Sequence, residues 1–122
     1  MTIKNIGELH DSELVGIAYL PDHEIRVDFR TDKGVSRCLF LRGVKNFYCN
    51  EMWSGNIVLS VEIFEAADLD SEDFVEFVSQ ENRGEDPQWL RSLVTDNQLL
   101  MVSICPSYGA IVGCLCASVH YE

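Results

Sequence analysis

The feature that most constrains the fold is a series of short strand patterns separated by turn-forming residues. The stretch HEIRVDFR at 23–30 alternates apolar and charged residues, which is typical of a strand with one buried face. TDKG at 31–34 then predicts a hairpin turn into a second strand at 35–44. Two more strand patterns lie at 12–20 and 56–65, and the alternation in the latter predicts one shared face for Ile57, Leu59, Val61 and Ile63.

Two near-continuous apolar runs follow later in the chain, QLLMVSIC at 98–105 and AIVGCLCASV at 110–119. The turn-forming residues PSYG separate them. Because a strand that is covered on both faces needs apolar residues on both, these runs predict a hairpin of central strands.

Helical patterns occur between the fourth and fifth predicted strands. DSEDFVEFVSQEN at 70–82 places Phe74, Phe77 and Val78 on one stripe, which predicts a helix packed on the sheet. A second short helix is predicted at 86–95, with Pro87 in its first turn.

These elements predict an α+β fold. About six antiparallel strands would form a curved sheet or half-barrel, with one or two helices inserted between strands four and five. The 122 residues suffice for one sizeable core, so we expect a single domain spanning 1–122.

The negative charge of the chain is concentrated in one segment. The formal net charge is −11, and residues 62–86 hold ten acidic and one basic side chain, a net charge of −9. This balance argues against nucleic-acid binding and against an anionic membrane surface, since both need a basic footprint. A dense negative surface attracts a basic partner, although a solvated helix face is the alternative interpretation. The candidate partner-binding acids on the outward helix face are Glu72, Asp73 and Glu76.

The loop at 45–56, KNFYCNEMWSGN, is rich in aromatic residues. Aromatic residues and Met are enriched at protein interfaces, which makes Tyr48 and Trp53 candidate partner-binding residues. The alternative is that these side chains plug one end of the sheet, because aromatic residues also dominate cores.

The five cysteines are an odd number without CxxC spacing, so neither a disulfide framework nor a metal site is expected. Cys114 and Cys116 are two residues apart and would share one face of a strand. Because cysteine is among the most buried residue types, we interpret them as core thiols. No cofactor-binding motif occurs in the sequence, and none is expected.

His10 and Asp11 form the most catalytic-looking pair in the sequence. Neighbouring residues of an extended strand point to opposite faces, so we expect these side chains not to meet. We expect Asp11 or Ser12 instead to bond the backbone locally and start the strand. Without a converging nucleophile, base and metal-ligand set, the chain is not expected to be an enzyme, and no catalytic residue is assigned.

LHDSELVGIAYLPDHEIRVDF at 9–29, followed by LRGVKNFYCNE at 41–51, resembles small bacterial immunity proteins of polymorphic toxin systems. These include immunity proteins of contact-dependent growth inhibition, and the resemblance covers residues 8–65. It implies a cytoplasmic protein that binds and neutralises one cognate toxin, commonly a nuclease. It transfers no catalytic residues, and it implies a structural role at the sheet start for Leu9, His10, Asp11 and Ser12.

The predicted function is therefore that of an immunity protein. It would bind a basic cognate toxin through an acidic surface, in the cytoplasm, without nucleic-acid or membrane partners. The N-terminal residues MTIKNIGELHDSE lack the apolar core of a secretory signal, which agrees with that compartment. Two other classes stay open: a non-catalytic half-barrel that binds a small ligand on its concave face, and a subunit of a larger assembly.

Overall fold

A computed structural model describes residues 2–65, 92 and 96–122, and these residues form one antiparallel sheet of nine strands with a short 3₁₀ turn at Gly7–Leu9. None of the helical stretches among the described residues has the length and apolar character that a membrane span requires. The strands are β1 (Thr2–Asn5), β2 (Glu13–Leu20), β3 (Glu24–Arg30), β4 (Ser36–Arg42), β5 (Asn46–Asn50), β6 (Asn56–Glu65), β7 (Leu100–Tyr108), β8 (Ile111–Cys116) and β9 (Ser118–Tyr121).

The strand order is β5-β8-β7-β6-β2-β3-β4-β9, with β1 also paired to β6. β1 and β2 lie end to end along the same side of β6: β2 pairs with its first residues and β1 with its last. The 3₁₀ turn sits between them, and Ile6 N donates to Val61 O across 3.1 Å. β6 is therefore the strand on which the two halves of the sheet meet.

Two long arms of chain pair with each other at the other end of the sheet. One arm is β4 continuing into β5, and the other is β8 continuing into β9. β4 pairs with β9, and β5 pairs with β8. Where they bend, Ala117 N donates to Arg42 O across 2.9 Å. Gly43 has a φ of +64°, and a Cβ there would lie 2.8 Å from Ala117 Cβ, so this bend requires glycine.

The core lies on the inner face of the bent sheet. Val27, Leu39 and Ile104 are fully buried there, and burial of each such side chain stabilises the fold by roughly 1.5–3 kcal/mol. The predicted alternation of β3 is confirmed, since Ile25, Val27 and Phe29 are buried. The turn at TDKG is also confirmed, since Gly34 N donates to Thr31 O across 2.9 Å. The cluster comprises Ile6, Leu9, Leu14, Ile25, Val27, Phe29, Leu39, Leu41, Val58, Val61, Ile63, Val102, Ile104, Val112, Cys114 and Cys116.

The C-terminal apolar runs form the predicted hairpin. β7 and β8 pair from Leu100↔Cys116 to Ile104↔Val112. Leu115 is fully buried on the face opposite Cys114 and Cys116, so β8 is covered on both faces as expected for a central strand.

The shared face predicted for β6 is wrong at Leu59. Its side chain is 48% exposed, whereas Val58, Val61 and Ile63 are buried. The register with β7 shifts between Val58 and Ser60, and such an irregularity breaks the two-residue period of a strand. A pattern read with a period of two cannot detect this shift.

The predicted α+β fold with about six strands is also wrong. The described residues form nine strands, and helical conformation among them is limited to the 3₁₀ turn and residues 92, 96 and 97. The count is higher because the run 110–119 divides at Ala117, the run after Gly43 starts a new strand, and Thr2–Asn5 adds another. The predicted helix at 70–82 lies outside the described residues, as does all of the helix at 86–95 except residue 92.

Candidate functional site

A buried asparagine organises the surface where β2, β6 and β7 meet. Asn56 is 3% exposed, and its Oδ1 accepts from Trp53 N across 2.8 Å and from Ala110 N across 3.1 Å. Its Nδ2 donates to Trp53 O and lies 3.5 Å from Met52 Sδ. One amide therefore satisfies three backbone groups and fixes the loop before β6 to the β7–β8 turn.

The β7–β8 turn is shaped to admit this amide. Gly109 has a φ of +88°, and a Cβ there would lie 2.4 Å from Asn56 Oδ1. Tyr108, the preceding residue, pairs with Ile57 of β6. The asparagine and the glycine together bring the turn and the loop to the same place.

Exposed apolar side chains lie on the strands and the loop next to Asn56. Trp53 and Tyr108 are each 62% exposed. Val15 follows Leu14, the ladder partner of Asn56. We call this surface the Asn56 corner; it comprises Val15, Met52, Trp53, Leu59 and Tyr108, five of the seven large exposed hydrophobic side chains among the described residues.

The structure divides the residues predicted to bind a partner. Trp53 lies exposed in the corner, while Tyr48 is half-buried on β5 and pairs with Gly113 of β8. The acids Glu72, Asp73 and Glu76 lie outside the described residues.

Three members of the corner were missed by sequence reasoning. Val15, Leu59 and Tyr108 are far apart in the chain, and the pairing of β6 with β2 and β7 places their strands side by side. Turn residues around Tyr108 (PSYG) were the available signal, because a large aromatic in a tight turn is exposed unless something covers it.

The expectation that His10 and Asp11 would not meet is wrong. His10 Nδ1 lies 3.3 Å from Asp11 Oδ2, with both side chains more than half exposed. The pair is not in a strand: His10 follows the 3₁₀ turn, and Asp11 has a φ of +63°. The left-handed residue turns the two side chains to the same side.

Ser12 makes the local bond predicted for the start of the sheet. Its hydroxyl is fully buried and donates to Leu9 O across 2.6 Å. Val58 N donates to Ser12 O across 2.9 Å. The serine thereby closes the turn and sets the register of β2 on β6.

A second polar cluster, which we call the Glu8 clamp, ties the 3₁₀ turn to β4 and β9. Arg37 Nε donates to Glu8 Oε1 across 3.0 Å and Arg37 Nη2 to Glu8 Oε2 across 3.2 Å. The Tyr121 hydroxyl donates to Glu8 Oε1. The hydrogen bond from Arg37 holds the pKa of Glu8 below its usual value, and burial together with the Glu8 bond raises the pKa of Tyr121 to about 12.

A polar cleft of about 300 Å³ opens beside the clamp. Its lining includes Glu8 and His10 together with Thr31, Asp32 and Lys33 of the β3–β4 turn. The lining includes the acids Glu8 and Asp32 and the base Lys33, so the cleft carries both signs of charge.

The arginines of the described residues are neutralised by neighbouring acids. Arg26 pairs with Asp28 across 2.9 Å, and Arg42 pairs with Glu24 across 2.9 Å. Arg30 pairs with Glu13, as Arg37 does with Glu8. These cations are therefore not arranged as a basic footprint for phosphate.

The cysteine pair on β8 occupies the core as predicted. Cys114 and Cys116 are fully buried on the inner face, and a hydrogen bond with Cys114 lowers the pKa of Cys116. Burial raises the pKa of Cys49, which is half-buried on β5. Among the described residues, no group of three or more His, Cys, Asp or Glu side chains is placed to hold a metal ion.

The fold is similar to one that has been solved. A crystal structure of an uncharacterized protein from Neisseria gonorrhoeae superimposes with a TM-score of 0.58 at 12% sequence identity. The match covers 100% of this chain and 97% of that chain. Neither a protein-family model nor a curated protein matches the sequence. At this identity the likeness concerns the fold alone.

Proposed function

We propose that this protein is a cytoplasmic immunity protein that binds and neutralises one cognate toxin, a basic nuclease, through the Asn56 corner. The observation that supports this most is the exposure of Trp53 and Tyr108, each 62%, on a backbone fixed by buried Asn56. The sequence resemblance to immunity proteins points in the same direction without depending on this geometry.

The composition of the corner suits a protein partner. Trp, Tyr and Met are enriched at interfaces, and large aromatic anchors contribute most of the binding energy there. Hydrogen bonds from Asn56 to Trp53 N and Trp53 O hold the loop in one conformation before binding. Less conformational entropy is therefore lost on association.

The charge of the chain suits a basic partner. Four arginines between 26 and 42 are paired with acids, while the segment 62–86 has a net charge of −9. Negative potential around an apolar anchor raises the association rate of a basic protein. In this proposal the segment steers the toxin and the corner holds it.

The small-ligand alternative has less support. It needs an accessible concave face, but side chains there such as Val27, Leu41 and Val61 are fully buried against one another. A ligand site on that face would require the core itself to open.

The test uses the protein encoded by the neighbouring gene. Titration calorimetry with this purified product should give a 1:1 complex, and coexpression should protect cells from its toxicity. Trp53→Ala and Tyr108→Ala should each weaken binding at least about tenfold, mainly by faster dissociation. Val35→Ala is the control: Val35 is 41% exposed but lies in the β3–β4 turn, away from the corner, so affinity should be unchanged.

A second variant set tests the steering role. The triple variant Glu72→Gln, Asp73→Asn, Glu76→Gln should slow association and flatten its salt dependence while dissociation stays the same. Equal losses from Val35→Ala and Trp53→Ala would contradict the corner as the binding surface. Absence of any complex with the neighbouring product would contradict the proposed function.

A further inference from the structure

The C-terminal part of β2, Gly16–Leu20, has one edge that no other described strand pairs with. β2 pairs with β6 only at Glu13 and Leu14, while Gly16–Leu20 pair with β3 alone among the described residues. Every second residue of an antiparallel strand directs its N–H and C=O to the same side. The open side of Gly16–Leu20 therefore presents a short row of backbone donors and acceptors.

We propose that the partner adds an extended segment to this edge of β2, as a new antiparallel or parallel strand in line with β6. This inference rests on the proposed function and specifies how the partner is held. Main-chain hydrogen bonds of an added strand supply affinity, and its alternate side chains supply specificity.

The edge lacks the charged residues that usually prevent such pairing. Natural edge strands carry charged residues, and Lys is the commonest protection. Residues 14–20, LVGIAYL, contain no charge. The register shift between Leu14 and Gly16 lies next to the first residue of β6, so it leaves the remaining five residues regular.

The position of the edge connects it to the Asn56 corner. β6 runs antiparallel to β2 and begins at Asn56, opposite Leu14. The chain leaves this line at Gly55, which has a φ of +80°. An added strand would occupy the continuation of β6, with one end beside Val15 and the other members of the corner.

The side chains along the edge indicate what the added strand should carry. Ile17 and Tyr19 lie on the same face of the sheet as their ladder partners Val27 and Ile25, and they favour apolar residues on that face of the added strand. On the outer side Gly16 is opposite Asp28, and a Cβ at Gly16 would be 3.8 Å from Asp28 Oδ2. Arg26 already donates to both oxygens of this carboxylate, so the outer side offers the space beside Gly16 rather than an unpaired charge.

Charge distinguishes the partner's strand from a second copy of this chain. Two copies would each bring a net charge of −11, and residues 14–20 of β2, through which they would pair, carry no cation. A basic partner gains attraction where a second copy meets repulsion.

Amide hydrogen exchange of the ¹⁵N-labelled chain, alone and with the neighbouring-gene product bound, tests the inference directly. Alternate amides within Gly16–Leu20 should exchange at least about tenfold more slowly in the complex, since a ladder bond protects each amide that it engages. Binding with no new protection along β2 would overturn the inference and leave the proposed function standing. Absence of any binding to the neighbouring-gene product would contradict both this inference and the proposed function.

Two variants with the same added charge sharpen the result. Gly16→Lys adds a long cationic side chain at the open edge, which fills the space beside Gly16 and repels a basic partner, and should lower affinity about tenfold. Ser118→Lys adds the same charge to β9, at the other end of the strand order, and should leave affinity unchanged. Thermal melting confirms that both variants fold. Equal affinities of the two variants would contradict the proposal. So would concentration-dependent protection of β2 in the free chain, because it would indicate that a second copy occupies the edge.

Discussion

The Asn56 corner and the Glu8 clamp fasten the chain in opposite ways. In the corner one neutral amide, 3% exposed, satisfies backbone groups of two loops. In the clamp a carboxylate binds a guanidinium and a phenol, with the Glu8 and Arg37 side chains 44% and 36% exposed. Water can replace the partners of the clamp groups but not those of Asn56.

This difference predicts where stability resides. A buried polar group that loses its partner costs its full desolvation free energy, whereas an exposed ion pair contributes little because solvent screens it. We therefore expect the corner to govern global stability and the clamp to have small, pH-dependent effects.

Gly109→Ala should have the largest effect. Its Cβ would lie 2.4 Å from Asn56 Oδ1 at a φ of +88°, so both the turn and the amide must move. We expect a loss of about 3 kcal/mol in the free energy of unfolding, measured by urea denaturation. Gly34→Ala is the control, because its φ is +80° but nothing lies within 4 Å; backbone strain alone should cost about 1 kcal/mol there. Equal losses would show that the amide yields freely.

Asn56→Ala should be the next largest. It leaves Trp53 N and Ala110 N without their acceptor, and we expect a loss of about 2 kcal/mol in the free energy of unfolding. Asn50→Ala, at an exposed position at the end of β5, should change it little. Binding of the partner should weaken in Asn56→Ala even at temperatures where the variant stays folded. Unchanged stability would mean that water replaces the amide.

Ser12→Ala tests a fully buried hydroxyl near the clamp. The bond to Leu9 O is lost, and we expect a decrease of about 1 kcal/mol in the free energy of unfolding. Ser36→Ala, at an exposed position on β4, should have no measurable effect. A larger decrease than for Asn56→Ala would reverse the ranking of the two regions.

Glu8→Gln should produce a smaller, pH-dependent loss. The pKa of Glu8 is lowered in the fold, so its stabilisation is present above its ordinary value of 4.5 and is lost as the pH falls through the folded pKa. The difference in unfolding midpoint between wild type and Glu8→Gln should thus be greatest near pH 7 and vanish in strong acid. Glu51→Gln, at an exposed loop position, is the control. A difference that persists in strong acid would indicate a packing effect.

Tyr121 should give the smallest effect on stability but a clear spectroscopic signal. Its pKa is raised to about 12, so its contribution is intact below pH 10 and is lost as the pH rises through about 12. An absorbance titration at the phenolate band should show a late step that is absent in Tyr121→Phe. A titration that keeps this step in the variant would assign it to another tyrosine.

The fold was predictable where local pattern and tertiary environment agree. Ile25, Val27 and Phe29 alternate with charged residues and are buried as expected, and TDKG makes the turn. The strand count was not predictable, because the breaks at Gly43 and Ala117 occur where two arms that are distant in sequence pair and bend against each other. The bulge that exposes Leu59 likewise depends on the partner strand.

The candidate site was predictable only in part. Trp53 was identified because an aromatic in a polar loop is a local feature. The buried role of Asn56 was not, since an asparagine before a strand suggests only a turn until the backbone groups that it bonds are known. Tyr48 was assigned to the loop, but it is part of β5 and is half-buried there.

The paired arms also determine the order in which the protein can mature during synthesis. Leu39 pairs with Tyr121 and Asn46 pairs with Leu115, so strands made early wait for strands made much later. Until residues 111–121 have left the ribosome, β4 and β5 have no neighbour along these sides. Such non-local pairing slows folding and leaves strand edges open to aggregation or to chaperones in the interval. A nascent chain halted before residue 111 should therefore be captured by a chaperone, whereas one released after residue 121 should not.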